Sequence, residues 1–221
     1  MRIESIQVGK PQKIAEDFVS SIYKSSISTP VYLNYENLEG DQQADLSVHG
    51  GPDKAVNVYP VEHYRYWSQR IPLFFRKRIN LPSPANGAFG ENFSVSGMNE
   101  SSVCIGDTYS IGSAVVQVTQ PRQPCWKLAR KFDQTKLPIW VQNNGKTGWY
   151  FRVLQEGHVA QFDTFTLTDR EYPDWSVQRT NQLRYSPQRS KEEIESLLRC
   201  HTLSASWQQT FKSFLDELNK Q

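Results

Sequence analysis

Residues 102–120, SVCIGDTYSIGSAVVQVTQ, indicate the fold class of this chain. Apolar and polar residues alternate on both sides of Ile111-Gly112-Ser113, which is the pattern of two half-buried strands joined by a tight turn. Shorter runs of the same kind occupy residues 31–38, 54–60, 149–155 and 159–167. The last two runs predict another hairpin through Glu156-Gly157. Many short strands with tight turns favour a closed or folded sheet over alternating strand and helix units, so we predict a mainly β protein.

A few helices accompany the predicted strands. Apolar residues recur at helical spacing in residues 61–71, so a helix there is expected to pack on the sheet by its aromatic face. Three more helical segments follow the last strand, and they cover residues 175–185, 190–200 and 204–220. Ser190 begins a capping-box pattern, which marks a helix start. We therefore predict a β-barrel domain over residues 1–168 and a small three-helix domain over residues 169–221.

The bulk properties limit the function classes. The chain has 221 residues, a formal net charge of +2 and 22% charged residues, which is too balanced to predict a nucleic-acid-binding protein. No secretory signal and no run of roughly 18 apolar residues is present, so we expect a cytoplasmic protein without a membrane partner. Three cysteines without CxxC spacing predict neither a disulfide framework nor a cysteine-rich zinc site.

Residues 120–127, QPRQPCWK, place a cysteine beside two cations. If Pro124 occupies the first turn of a helix, Cys125 lies at the positive end of the helix dipole. Together with Arg122 and Lys127, that position favours the thiolate, which is the form that binds metals and acts as a nucleophile.

The alternative interpretation is a buried structural thiol, which is the commoner role of a lone cysteine. Cys125, Leu128 and Phe132 have helical apolar spacing, and this spacing equally predicts a cysteine that faces the core. Cys104 lies within an alternating strand pattern and Cys200 at the end of a predicted helix, so we assign both a structural role.

A second candidate region is residues 40–54, GDQQADLSVHGGPDK. Gly50 and Gly51 permit close backbone approach, so amide groups could converge there on an anion such as a phosphate. Lys54 adds a positive charge and His49 a hydrogen-bond donor. The segment matches neither the phosphate-binding loop nor the dinucleotide motif, and a plain polar hairpin turn is the alternative.

Two further turns marked by glycine lie next to predicted strands. They are FGENF (89–93) and GKTGWYFR (145–152). Ordinary turn chemistry explains such segments, but their aromatic residues could also line the wall of a site for a flat ligand. Asn92, Thr147 and Gly148, with Arg152 in the following strand, are candidate cofactor-binding residues.

Several motifs in one order resemble the MOSC family, which is named for the C-terminal domain of molybdenum cofactor sulfurase. They are GDQQAD, HGGPDKAV, FGENF, IGDTYSIG, QVTQPRQPCWKL and TGWYFRVL, and the resemblance runs from about residue 30 to residue 167. The helical tail is similar to the three-helix domain of the YiiM-like branch, the bacterial 6-hydroxylaminopurine resistance proteins. The resemblance implies a MOSC-type β-barrel that binds the molybdenum cofactor (molybdopterin), a pterin with a dithiolene and a phosphate.

The resemblance also assigns roles to the candidate residues. Cys125 of the PRQPCWK motif becomes the metal ligand, and a thiolate is a suitable soft ligand for this metal. The turn that holds His49 and Lys54, with Arg122 and Lys127, suits the cofactor phosphate. His49 and Asp53 are candidate catalytic proton donors beside Cys125, as is Asp45.

Members of this branch reduce N-hydroxylated compounds, including base analogues, so the resemblance implies oxygen abstraction at molybdenum and a detoxifying role. The chain has no iron–sulfur cysteine set, so we expect a separate electron-donating reductase. Pyridoxal phosphate is not expected, because nothing in the chain resembles the desulfurase domain to which some MOSC proteins are fused. Two other functions stay open: a sulfur carrier with a persulfide on Cys125, and a binding module without enzymatic activity.

Overall fold

The structure is a computed structural model, and it describes residues 1–15, 18–44, 50–71 and 87–220. Within these residues the chain is mainly β. The strands are β1 Arg2–Val8, β2 Gln12–Ala15, β3 Phe18–Ser20, β4 Ser25–Ile27, β5 Val31–Leu33, β6 Val56–Pro60, β7 Phe93–Ser96, β8 Thr108–Ile111, β9 Ala114–Pro121, β10 Trp149–Gln155, β11 Gly157–Val159 and β12 Thr166–Asp169. The helices are α1 Glu62–Arg70, α2 Trp126–Phe132, α3 Leu137–Asn144, α4 Val177–Tyr185, α5 Lys191–Leu198 and α6 Ala205–Leu218.

Across the described residues, eight strands form one large sheet in the order β12-β8-β9-β10-β6-β7-β1-β4. Only the β6–β7 pair is parallel among the strand pairs of this sheet. The sheet curls towards closure, because the backbone just before β12 also bonds the start of β1: Ile3 donates to Asp163 at 2.9 Å and Phe162 donates to Ile3 at 2.8 Å. The predicted mainly β fold with a few peripheral helices is confirmed, and the predicted barrel is a half-barrel formed by this large curled sheet.

The hairpin predicted in residues 102–120 is confirmed as β8 and β9. Ile111 pairs with Ala114, so Gly112 and Ser113 form a two-residue turn. Gly112 has a φ of 56°, and a Cβ there would lie 2.2 Å from the carbonyl oxygen of His158. The turn therefore requires glycine both for its backbone conformation and for the approach of the neighbouring chain.

The second predicted hairpin, through Glu156-Gly157, is wrong. After β10 the chain does not fold back on β10, because β11 pairs with β5 instead. Glu156 favours this route: its carboxylate accepts the backbone amide of Tyr35 at 3.0 Å and the hydroxyl of Tyr32 at 3.3 Å. These partners lie far away in the sequence, so local turn patterns do not reveal them.

The helix predicted over residues 61–71 is confirmed as α1. His63, Tyr64 and Trp67 are its buried residues, which are spaced along one face. Trp67 Nε1 donates to the hydroxyl of Tyr59 in β6 at 2.6 Å, and the Tyr59 and Phe89 rings are stacked at 4.4 Å between centroids. The aromatic face of α1 therefore packs on the sheet, as expected. The following segment, residues 72–86, lies outside the described residues.

The three C-terminal helices also form where the sequence predicts them. Ser176, Ser190 and Ser204 each cap one helix by accepting a backbone amide. Ser190 accepts from Glu193, but the Glu193 carboxylate binds Arg179, so only half of the capping box is formed. These helices do not enclose a separate core: their buried apolar residues belong to the same cluster as the interior of the sheet. The members of that cluster in the helical region are Trp175, Val177, Leu183, Ile194, Leu197, Cys200, Leu203, Trp207 and Phe211.

Candidate functional site

A cleft with about 630 Å³ of empty space, part of it open to solvent, lies beside the sheet. The residues that line it come from the segments 20–24, 41–44, 54–57, 89–92 and 122–127, together with Tyr150 of β10. Five of the residues proposed from the sequence meet here: Lys54, Asn92, Arg122, Cys125 and Lys127. Segments that are distant in sequence therefore bring a cysteine, an amide and several cations to one concave surface.

Cys125 lies at the junction between β9 and α2. It is the residue directly before the helix, with extended backbone angles of −112° and 163°, and its carbonyl oxygen accepts from Leu128 at 3.1 Å. Pro124 precedes the helix rather than occupying its first turn, which corrects that expectation, but the thiol still lies at the amino-terminal end. Leu128 and Phe132 are buried, whereas Cys125 is only half-buried and lines the cleft. Its thiol is therefore accessible from the cleft.

Arg122 places a buried guanidinium beside this cysteine. The residue is 5% exposed; its Nη2 donates to the carbonyl oxygen of Phe89 at 2.7 Å, while Nη1 is buried without a hydrogen-bond partner among the described residues. Tyr150 lines the same cleft; burial raises its pKa, and the positive charge of Arg122 opposes that shift. A buried donor without a partner is costly, so an acceptor in the cleft would stabilise this arrangement.

Lys24 and Asp41 are cleft residues that the sequence did not single out. The Lys24 side chain is 7% exposed and forms an ion pair with the Asp41 carboxylate, which also accepts the Gly9 amide at 2.7 Å. Burial lowers the pKa of Lys24, and the charge of Asp41 opposes this shift. Asp41 belongs to the GDQQAD motif, so the glycine-marked turn could have identified it as a candidate site residue. Lys24 belongs to no motif, so the sequence alone gives no reason to select it.

Asn92 lines the cleft but is already engaged in structural hydrogen bonds. Its Nδ2 donates to Asp41 at 2.8 Å and to the Gln7 carbonyl oxygen at 3.2 Å, and its Oδ1 accepts from the Asn57 amide at 3.1 Å. Asn57 Oδ1 and Ser21 Oγ, which also belong to the cleft lining, are buried without a partner among the described residues. Asn92 therefore supports the wall, while Asn57 and Ser21 have free hydrogen-bonding capacity.

Lys54 and Lys127 complete the set of cations along the cleft. Lys54 ends the 3-10 turn Pro52–Lys54, and Lys127 lies one residue into α2. Burial lowers the pKa of Lys54, with the charge of Asp53 acting in the opposite direction. Because Asp41 neutralises Lys24, the excess positive charge of the cleft comes from Lys54, Arg122 and Lys127, and this excess suits an anionic ligand.

Asp53 and Arg152 are brought together, but not in the cleft lining. Arg152 Nη2 donates to Asp53 Oδ1 at 2.6 Å and to the carbonyl oxygen of Thr202 at 3.0 Å. Asp53 Oδ2 accepts the backbone amide of Ala205 at 3.0 Å. Gly50 and Gly51 also lie outside the lining, and Gly51 has a φ of 91° that favours glycine. The Asp53–Arg152 pair therefore connects the turn before β6 to the start of α6.

Thr147 and Gly148 are buried outside the cleft lining, although the Gly148 carbonyl oxygen accepts the backbone amide of Arg122 at 3.0 Å. Thr147 Oγ1 donates to the Gly148 carbonyl oxygen at 3.0 Å, and the Gly148 amide donates to Glu100 at 2.7 Å. A Cβ at Gly148 would lie 2.1 Å from the carbonyl oxygen of Val58, and its φ is 72°. The TGW motif is therefore explained by close packing rather than by contact with the cleft.

Two further residues proposed from the sequence, His49 and Asp45, lie outside the described residues. The other two cysteines are buried, as predicted. Burial raises the pKa of Cys104 and raises that of Cys200 to about 12, so neither thiol is activated. Within the described part of the chain, no three His, Cys, Asp or Glu side chains lie close enough to hold a metal ion, and no helix has the length and apolar character to cross a membrane.

Comparison with known proteins agrees with this architecture. The sequence profile of the MOSC domain matches residues 45–166, and that of the YiiM-like, 3-alpha helix domain matches residues 175–216. Uncharacterized protein YflK of Bacillus subtilis is 44% identical over 97% of this chain and 94% of its own length. The crystal structure of YiiM from Geobacillus stearothermophilus has a TM-score of 0.79 and 37% identity, covering 97% of this chain and 98% of that chain.

One further relative, a fungal protein, has a name that states an activity. A protein named Reductase from Gibberella moniliformis is 35% identical over 78% of this chain, and the match covers 30% of that longer protein. The two profile matches, the relative with 44% identity and the shared fold all lead to one assignment. This chain belongs to the MOSC domain family, and it carries the YiiM-like three-helix domain after its sheet.

Proposed function

We propose that this chain is a molybdenum-cofactor-dependent oxidoreductase that reduces N-hydroxylated compounds, with Cys125 as the protein ligand to the metal. One observation carries the proposal. The half-buried Cys125 lines the same cleft as four cationic side chains, those of Lys24, Lys54, Arg122 and Lys127. A thiol ligand suits a soft metal centre, and a positively charged wall suits an anionic cofactor.

The residues of the cleft fit this cofactor. A thiolate is a soft ligand of the kind that suits a metal already bound by dithiolene sulfur. Arg122 Nη1 is a buried donor without a partner among the described residues, and a phosphate oxygen is a strong acceptor for it. Ser21 Oγ and Asn57 Oδ1 offer further unpartnered polar atoms that a pterin could satisfy.

When bound, the molybdenum centre supplies two-electron redox chemistry that removes oxygen from an N–O bond, and the protein supplies binding, orientation and protons. Cys125 would hold the metal at the cleft surface. Arg122, Lys54 and Lys127 would neutralise the phosphate. Lys24 carries protons at Nζ inside the cleft, held there by Asp41.

Asp53, proposed from the sequence as a proton donor, has both carboxylate oxygens engaged with Arg152 and Ala205. We therefore give Asp53 and Arg152 a supporting role. His49 stays a candidate proton donor, as does Asp45. The name of the fungal relative supports reduction as the reaction type, and the proposal keeps a separate protein as the source of electrons.

The test is metal and pterin analysis of protein made in a host that synthesises the cofactor. We expect about one molybdenum per chain in the wild type, none in Cys125→Ser, and wild-type content in Cys104→Ser. The last variant is the matched control, because Cys104 is buried away from the cleft.

Two results would overturn the proposal. Equal molybdenum content in wild type and Cys125→Ser would remove Cys125 as the ligand. Metal-free wild type that carries labile sulfane sulfur on Cys125 would favour the alternative sulfur-carrier function, which uses the same accessible thiol.

A further inference from the structure

We propose that the C-terminal helices hold the candidate site in place, with Arg184 as the residue that positions the Cys125 loop. The loop consists of residues 122–125, between the end of β9 and the start of α2. The inference rests on the proposed function only in naming what the loop is positioned for. Its evidence is a set of contacts within the chain.

Arg184 in the last turn of α4 binds Gln123, two residues before the cysteine. With the Gln123 amide oriented so that its oxygen faces the guanidinium, that oxygen accepts from Arg184 Nη2 at 2.7 Å and from Nε at 3.1 Å. The guanidinium carbon also lies 4.9 Å from the ring centroid of Trp207 in α6. Arg184 therefore belongs to α4 and packs against α6, and these contacts hold its donor nitrogens in place beside the loop.

The strand that leads into the loop is held by the same helical region. The Ser204 amide donates to the carbonyl oxygen of Thr119 at 3.1 Å, and Ser206 Oγ lies 3.4 Å from Gln120 Oε1. Both partners belong to the last residues of β9. The start of α6 thus fixes the point from which the loop departs.

A third contact reaches the turn that ends at Lys54. The Ala205 amide donates to Asp53 Oδ2 at 3.0 Å, and Arg152 bridges Asp53 Oδ1 and the carbonyl oxygen of Thr202. Asp53 directly precedes Lys54, one of the cleft cations. One short stretch of chain, residues 202–206, therefore binds both the strand that precedes Cys125 and the turn that ends at Lys54.

The loop depends on these contacts because it belongs to neither a strand nor a helix. Arg122 holds it from the side of the sheet, through Nη2 to the Phe89 carbonyl oxygen. Gln123 holds it from the side of the helices. The thiol itself makes no capping hydrogen bond to the amides of α2. Without the Gln123 contact, the loop keeps its anchors at Arg122, whose backbone amide also donates to the Gly148 carbonyl oxygen at 3.0 Å. It loses its connection to the helices, so we expect the half-buried thiol to become more exposed.

The experiment measures iodoacetamide alkylation of Cys125 in the full-length, cofactor-free chain, read by mass spectrometry of the peptide that contains it. Arg184→Ala and Gln123→Ala should each raise the alkylation rate at least about fivefold. Each removes both hydrogen bonds between these side chains, and the loss of one bond alone corresponds to about a fivefold change in open-loop population. The double variant should be no faster than either single variant, because both remove one contact. Arg184→Lys, which keeps the charge but not the paired donors, should lie between wild type and Arg184→Ala.

Arg179→Ala is the matched control. Arg179 stands on the same helix and packs over Trp175 at 4.4 Å, but its hydrogen bonds go to Asp174 and Glu193, away from the cleft. Its alkylation rate should equal that of the wild type. Gln123 is exposed, so Gln123→Ala tests the contact without disturbing the fold.

The second readout is molybdenum content after production in a host that makes the cofactor: Gln123→Ala and Arg184→Ala should retain less metal than Arg179→Ala. The inference is overturned if both variants match Arg179→Ala in alkylation rate, or if their effects multiply in the double variant. Alkylation needs no cofactor, so it decides this inference even if the wild type binds no molybdenum. Conversely, metal loss in Cys125→Ser with unchanged loop variants would reject this inference alone.

Discussion

Replacing Asp41 by asparagine should strongly destabilise the protein. The Asp41 carboxylate accepts from the Gly9 amide at 2.7 Å, from Asn92 Nδ2 at 2.8 Å and from the Lys24 ammonium. Asparagine has nearly the same shape but only one acceptor oxygen, so its NH₂ group must face at least one of these donors. In addition, the nearly buried ammonium of Lys24 loses its counter-charge.

The size of the effect follows from this burial. The side chains of Lys24 and Asp41 are 7% and 1% exposed, so water cannot replace the lost partner. Removing one member of a buried ion pair costs about 3–5 kcal/mol, which is a large part of the roughly 5–15 kcal/mol that stabilises a typical protein. Lys24→Met in the Asp41→Asn background should recover part of the loss, because it removes the uncompensated charge but leaves the asparagine NH₂ group facing another donor.

The assay is urea unfolding followed by fluorescence of the six tryptophans, at constant slope m. Glu193→Gln is the control, because it makes the same acid-to-amide change in a pair whose side chains are both 44% exposed. That variant should unfold at the wild-type midpoint. If Asp41→Asn also unfolds near the wild-type midpoint, or if Lys24→Met worsens it, the assignment of a buried ion pair is wrong.

Three other expectations follow from the structure. At pH 8 a thiol reagent should label Cys125 well before Cys104 and Cys200, because burial raises the pKa of both buried thiols; equal rates in native protein would contradict this. Gly148→Ala should cost about 3 kcal/mol or more, whereas Gly145→Ala, with a φ of 71° and open space around it, should cost only about 1 kcal/mol in urea unfolding. Finally, the Cys200 pKa is about 12 in the folded chain and near 9 when unfolded, so the folded state retains this proton at pH values where the unfolded chain loses it. That contribution to stability should fall as the pH rises through this window, and Cys200→Ala should flatten the decline; an unchanged pH dependence would contradict the cause.

The sequence predicted the local elements of the fold well. The β8–β9 hairpin, α1 and the three C-terminal helices follow from periodicity and capping residues that lie within each segment. The second predicted hairpin was wrong because the route of β11 depends on β5, more than a hundred residues earlier. Local turn chemistry at Glu156-Gly157 carries no information about that distant partner.

The difference between local and long-range contacts also explains which residues of the candidate site could be predicted from the sequence. Cys125, Arg122 and Lys127 share one motif, so their proximity is visible in the sequence. Lys24 enters the cleft only because β1, β4 and the segment around Asp41 come together in the fold. Thr147 and Gly148 carry a turn motif, but close backbone packing rather than ligand contact accounts for it.

The shared apolar cluster also limits how this architecture can be recombined. The two family profiles match separate stretches of the chain, yet the helical stretch contributes Trp175, Trp207 and Phe211 to the same interior as the strands. If either stretch were exchanged for that of a distant relative, the apolar side chains of the helices and those of the sheet would no longer fit together. A substitution in the apolar surface of one part should therefore be accompanied by a compensating substitution in the other part. The two parts should also unfold together in a single cooperative transition.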